Sequence, residues 1–125
     1  MAFTESDLTI SQAEIDDLKD ALANTGQPNA FAQTIPEREI QVRNWTAAYN
    51  VPEETLMRLW RPLVLFHIYG LVGPIPAYRK SAYDEAMAEL TAIRDGKFPQ
   101  YALADTQPGQ LATGEAKFGS RPKII

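Results

Sequence analysis

Residues 53–72, EETLMRLWRPLVLFHIYGLV, form the most apolar stretch of the chain, and the other segments read as amphipathic partners folded around it. At helical spacing Leu56, Leu59, Trp60, Leu63 and Phe66 make one continuous stripe, with Arg58 and Arg61 on the opposite side of the first two turns. Beyond Arg61 that second side turns apolar through Leu65, Ile68 and Val72. The C-terminal half is then apolar nearly all round and must be covered either by its own domain or by a neighbouring subunit. Leu65, Ile68 and Val72 are therefore candidate subunit-interface residues.

A membrane span needs about 20 apolar residues without charges, and two arginines and Pro62 interrupt this run. Proline lacks the amide hydrogen of a helix interior and crowds the carbonyl one turn back, at a cost of about 3 kcal/mol. A kink at Arg61-Pro62, or a break with Pro62 opening a second helix, is expected.

A chain of 125 residues is long enough to bury a core and fits one domain. With 45% apolar residues and no cysteine, it has neither a disulfide scaffold nor a thiolate metal site. Met1 to Ile10 lacks the basic start and apolar core of an export signal, so use in the compartment of synthesis is expected. Net charge is −4, yet residues 1–24 hold six acids against Lys19 alone, and residues 97–125 carry Lys97, Lys117, Arg121 and Lys123 against Asp105 and Glu115. An acidic body argues against non-specific DNA gripping, which wants a dense basic patch. A basic tail suits docking onto an acidic neighbour.

Outward from the central stretch, Asn50-Val51-Pro52 separates it from an earlier helix. Thr34-Ile35-Pro36-Glu37 reads as that helix's capping box, with Val42, Trp45 and Tyr49 at helical spacing behind it. Residues 26–32 read as a loop around Pro28 and Asn29. Before it, Ser11-Gln12-Ala13-Glu14 is a second capping box, Ile15, Leu18 and Leu22 share one face, and Gly26 ends the helix. On the other side, Gly73-Pro74-Ile75-Pro76 makes a stiff corner before a last helix from about Tyr78 to Arg94. Its buried face is Tyr83, Ala86, Leu90 and Ile93, and Gly96 is its C-terminal cap. From Lys97 onward the apolar residues are too sparse for a core. Tyr101, Leu103 and Asp105 alternate like an edge strand with no partner nearby. The expected fold is all-α, a bundle of about four helices over residues 1–96 with an extended C-terminal arm over 97–125.

No catalytic, cofactor-binding or metal-ligating residue is expected. His67, the sole histidine, lies mid-helix among apolar neighbours and reads as a core or interface residue, with no second ligand or base spaced to help it. Asp16, Asp17 and Asp20 read as a solvated face rather than a calcium loop. Glu53 and Glu54 stand where the helix dipole favours carboxylates. No phosphate-binding loop or nucleophile elbow occurs. Trp45 and Trp60 read as core.

The run Tyr83, Ala86, Leu90, Ile93, Gly96-Lys97 resembles the last helix of the head-tail joining proteins of Mu-like phages and prophages, also described as neck, connector or head-completion adaptors. The order of parts is similar too: Asp7-Leu8, an amphipathic helix ending in Tyr49, Val51-Pro52 opening the apolar helix, and Tyr69 near its end. The likeness spans residues 3 to 97, with a looser match at 117–122. Pro62 departs from the family, whose members usually have no proline there. The resemblance implies a non-enzymatic ring, commonly a dodecamer, in the neck of the virion and assembled in the host cytoplasm. One face would meet the portal protein and the other a tail-side neck or tail terminator protein, with DNA passing through the channel without specific binding. It also implies an arm, with Phe118, Arg121, Pro122, Lys123, Ile124 and Ile125 docking on the portal. The alternative is a small helical regulatory protein binding another protein or DNA, which would need a basic recognition face. An enzyme with a carboxylate site is a third reading.

Overall fold

A computed structural model describes residues 2–104 of the chain. A 3-10 turn at Glu5–Leu8 precedes four α-helices: α1 (Gln12–Asn24), α2 (Ala30–Trp45), α3 (Glu53–Val72) and α4 (Ala77–Arg94). The fold is the expected all-α bundle, and α3 is its axis, packed against the other three helices and the 3-10 turn. Leu59, Trp60, Leu63, Val64 and Ile68 are 0–1% exposed. Phe66 is half-buried and stacks on Tyr83 of α4, ring centroids 3.9 Å apart.

α3 runs unbroken through Pro62, so the second helix expected to open there does not form. Burying one large apolar side chain contributes about 1.5–3 kcal/mol. Trp60, Leu63 and Val64, all buried beside the proline, together outweigh the roughly 3 kcal/mol that proline costs in a helix interior.

Leu65 and Ile68 are 3% and 0% exposed within the single chain, which removes them from the expected subunit interface. The 3-10 turn and α1 lie across α3, and their Leu8, Ile15, Leu18 and Leu22 are all buried. Val72, at the end of α3, remains half-buried. The N-terminal segment is tied down as well: Phe3 packs on Trp60 at 4.9 Å and its amide donates to Glu39 Oε1 at 2.9 Å.

Two expected helix starts differ in detail. α2 begins at Ala30, a full turn before Thr34, and Pro36 lies inside it. Ala30, Phe31 and Thr34 are buried, so core packing draws the first turn out of what reads locally as loop. At α1 the Ser11 hydroxyl accepts from the Glu14 amide at 3.1 Å, half of a capping box. The Glu14 carboxylate goes instead to Tyr69 and Arg79. A capping pair does form at the 3-10 turn, where Asp7 Oδ2 accepts from the Thr4 amide at 2.8 Å.

Past α4 the chain folds back. Gly96 holds φ +76°, in the left-handed region, and a Cβ there would stand 2.6 Å from Tyr49 Oη. Phe98 and Tyr101 pack edge to face at 5.7 Å against the core. The Asn50 amide donates to the Ala102 carbonyl at 2.7 Å and the Ala104 amide to the Ala48 carbonyl at 2.9 Å, making one antiparallel bridge between Tyr49 and Leu103. The expected edge strand is thus reduced to a single bridge onto the turn after α2, and residues 97–104 pack with the bundle rather than leaving it as an arm. Phe118, Arg121, Pro122, Lys123, Ile124 and Ile125 lie outside the described residues.

Candidate interaction surface

The arginine side of α3 borders an open groove of about 550 Å³. Helical spacing builds one wall, since Arg58, Arg61, Pro62 and Leu65 recur at intervals of three and four. Arg79 and Ala82 of α4, Leu8 to Ser11 and Glu14 complete the lining, and the single methyl of Ala82 leaves the valley open. The floor is apolar through Ile10, Pro62 and Ala82, with Leu8 and Leu65 buried behind it, and the rim carries Arg58, Arg61 and Arg79 together with Glu14.

The three arginines are held differently. Arg58 makes a bidentate pair with Glu89 at 3.0 and 2.6 Å, and the hydrogen bonds to Glu89 raise its pKa further. Arg79 Nη2 donates to Glu14 at 2.7 Å, its guanidinium lies over the rings of Tyr78 and Tyr69 at 4.9 and 5.5 Å, and its Nε is buried without an acceptor among the described residues. Arg61 donates through Nε to the Asp7 carbonyl at 2.6 Å and through Nη2 toward Met57 Sδ at 3.3 Å. No carboxylate among the described residues pairs with it.

At the far end of the groove Tyr69 donates its hydroxyl to the same Glu14 oxygen that receives Arg79, tying α1, α3 and α4 together. Burial alone would raise the Glu14 pKa, but the hydrogen bonds from Tyr69 and Arg79 outweigh it and leave the carboxyl below its ordinary 4.5. Burial, then the bond to Glu14, pushes the Tyr69 phenol up from 10.0 to about 12. The signs follow from which form the fold prefers. Glu14 stabilises the fold above pH 4.5 and loses that contribution as pH falls through its lowered value. Tyr69 stabilises it below pH 10.0 and loses that contribution as pH rises through about 12. Glu14→Gln is expected to cost about 1–2 kcal/mol at pH 7, at the low end for a charged bond because Glu14 is 26% exposed. It should also shrink the acid limb of a stability profile measured by urea melts, leaving the part due to Glu53, which Arg43 holds low. A variant profile that overlays the wild type would show that this junction stabilises nothing.

The other residues singled out in the sequence do not converge. His67 is half-buried on α3. Glu53 forms a bidentate pair with Arg43 at 2.9 and 2.8 Å, which separates it from Glu54 as a catalytic pair. Trp45 is half-buried under the Arg94 guanidinium at 4.7 Å. Asp16, Asp17 and Asp20 stand exposed on the outer face of α1. Among the described residues no three His, Cys, Asp or Glu side chains are placed to hold a metal ion, and no helix is long and apolar enough to cross a membrane. The groove itself was not legible as a site. Its one signal was the spacing of Arg58 and Arg61 beside Pro62, which shows a polar flank but not the α4 wall facing it.

Comparison of the chain with protein-family models, with curated proteins and with solved structures finds no match.

Proposed function

We propose that the chain is a structural head-tail adaptor of a tailed phage, one subunit of an oligomeric ring that docks on the portal and presents its other surface to the tail. The observation that carries this reading is the way the chain leaves the bundle. At Ala104 the backbone is still hydrogen-bonded to the α2–α3 turn, and the core behind it is already closed around Trp60, Leu63 and Ile68. Twenty-one residues follow, 105 to 125, carrying Phe118, Ile124 and Ile125 with Lys117, Arg121 and Lys123. Fully extended, they reach up to about 70 Å, ample for binding a neighbouring protein in extended form. Such an arm would bury its apolar side chains in a partner while its cations pair with the partner's acids. The likeness of Tyr83 to Lys97 and of the preceding segments to the head-tail joining family supplies the identity of that partner as a portal. With Leu65 and Ile68 inside the subunit, ring contacts must use other surfaces.

Deleting residues 115–125 is expected to leave the helical circular-dichroism spectrum and melting temperature unchanged while filled heads fail to acquire tails. Filled heads that still join tails after this deletion would remove the arm from the mechanism.

A further inference from the structure

We infer that the arginine groove of one copy receives the acidic outer face of α1 from a second copy, so that the chain associates head to tail through two different surfaces. This deepens the adaptor proposal and rests on its ring. Of the three arginines on the groove rim, Arg58 is paired with Glu89 and Arg79 with Glu14, which leaves Arg61 as the unbalanced charge. Arg61 has no carboxylate partner among the described residues. That leaves one uncompensated guanidinium beside an apolar floor.

The complementary surface is on the same molecule. Ile15, Leu18 and Leu22 turn inward from α1, which leaves Ala13, Asp16, Asp17 and Asp20 together on its exposed side. The only cation of that helix, Lys19, is paired with Glu5 at 2.9 Å, so its charge is engaged beside the acids rather than offered to a partner. A subunit cannot satisfy itself this way, because α1 presents those acids away from α3 while the groove is sunk between α3, α4 and the start of α1. The contact must therefore join two copies, and it is heterologous. Unlike patches joined in this manner close into a ring when the rotation between copies divides a full turn, and otherwise extend as a filament. Opposed charges with an apolar centre set register and orientation in such a contact.

Charge exchange tests this directly. Wild-type protein, followed by analytical ultracentrifugation over a concentration series, is expected to form oligomers that weaken as salt is raised. Asp17→Lys with Asp20→Lys, and separately Arg61→Glu, should each weaken assembly by about 100-fold, since like charges brought together cost several kcal/mol. An equimolar mixture of the two variants should reassemble, as should the chain carrying all three substitutions, because each altered face then meets its opposite. Arg61 also holds the Asp7 carbonyl, so its variant is checked by circular dichroism. The two aspartates make no hydrogen bond among the described residues and keep the test valid on their own. Oligomers that survive either single-face variant at wild-type strength, or variants that do not recover on mixing, would overturn this contact and leave the ring reading standing. A wild type that stays monomeric at every concentration would sink both.

Discussion

Trp60→Ala is expected to cost about 3–5 kcal/mol, the largest loss available from a single truncation in this bundle. The side chain is 0% exposed, lies against Phe3 with centroids 4.9 Å apart, and donates its indole N–H to the Ile35 carbonyl at 2.9 Å. Truncation opens a cavity on the axis helix and loosens the N-terminal segment that packs there. Domains of this size have only about 5–15 kcal/mol in total, so the variant should melt far below the wild type or fail to accumulate folded. Trp60→Phe separates the two causes. It keeps most of the ring volume but leaves the carbonyl without that donor, at an expected cost of about 1–3 kcal/mol. Guanidinium melts giving less than about 1 kcal/mol for Trp60→Ala would mean that the neighbouring side chains collapse into the space, against the packing described above.

Pro62→Ala should act in the opposite direction. Within an unbroken α3, proline supplies no amide hydrogen to the Arg58 carbonyl, and alanine restores it. The helix-interior difference is about 3 kcal/mol, offset by about 1 kcal/mol because proline stiffens the unfolded chain. A net gain of about 1–2 kcal/mol is expected, raising the melting temperature by roughly 4–10 °C. Pro62 also lines the groove, so the variant trims a ring from its floor and should weaken self-association even as the subunit becomes more stable. A destabilised variant would show that the local geometry of α3 depends on the proline rather than merely tolerating it.

How much could be read from the sequence divides along physical lines. The bounds of α3 were legible because its apolar spacing is dense and Pro52 and Gly73 flank it. α1 and α4 were legible from one-faced patterns and from their terminal glycines. The start of α2 was not, because Pro28 and Asn29 mark a loop locally while the burial of Phe31 is a tertiary fact. The placement of Leu65 and Ile68 failed for a related reason: a helix apolar on every side shows that a cover is needed, and only the docking of α1 and the 3-10 turn shows which cover. Residues 97–104 were read as unanchored because their partner, the turn at Ala48 to Asn50, is not itself a strand and leaves no periodic trace. The groove needed α3 and α4 side by side before its charges could be counted.

The clasp between residues 48–50 and 102–104 also has a mechanical meaning. Tension applied beyond residue 104 enters the subunit first at two backbone hydrogen bonds, each contributing only about 1 kcal/mol net. Those bonds, and the packing of Phe98 and Tyr101 on the core, stand between that load and the buried turns of α4. Peeling residues 97–104 from the surface would then release roughly 25 Å of slack, so the C-terminal connection could lengthen by that distance while the helices stay folded and re-form its seam once the pull subsides.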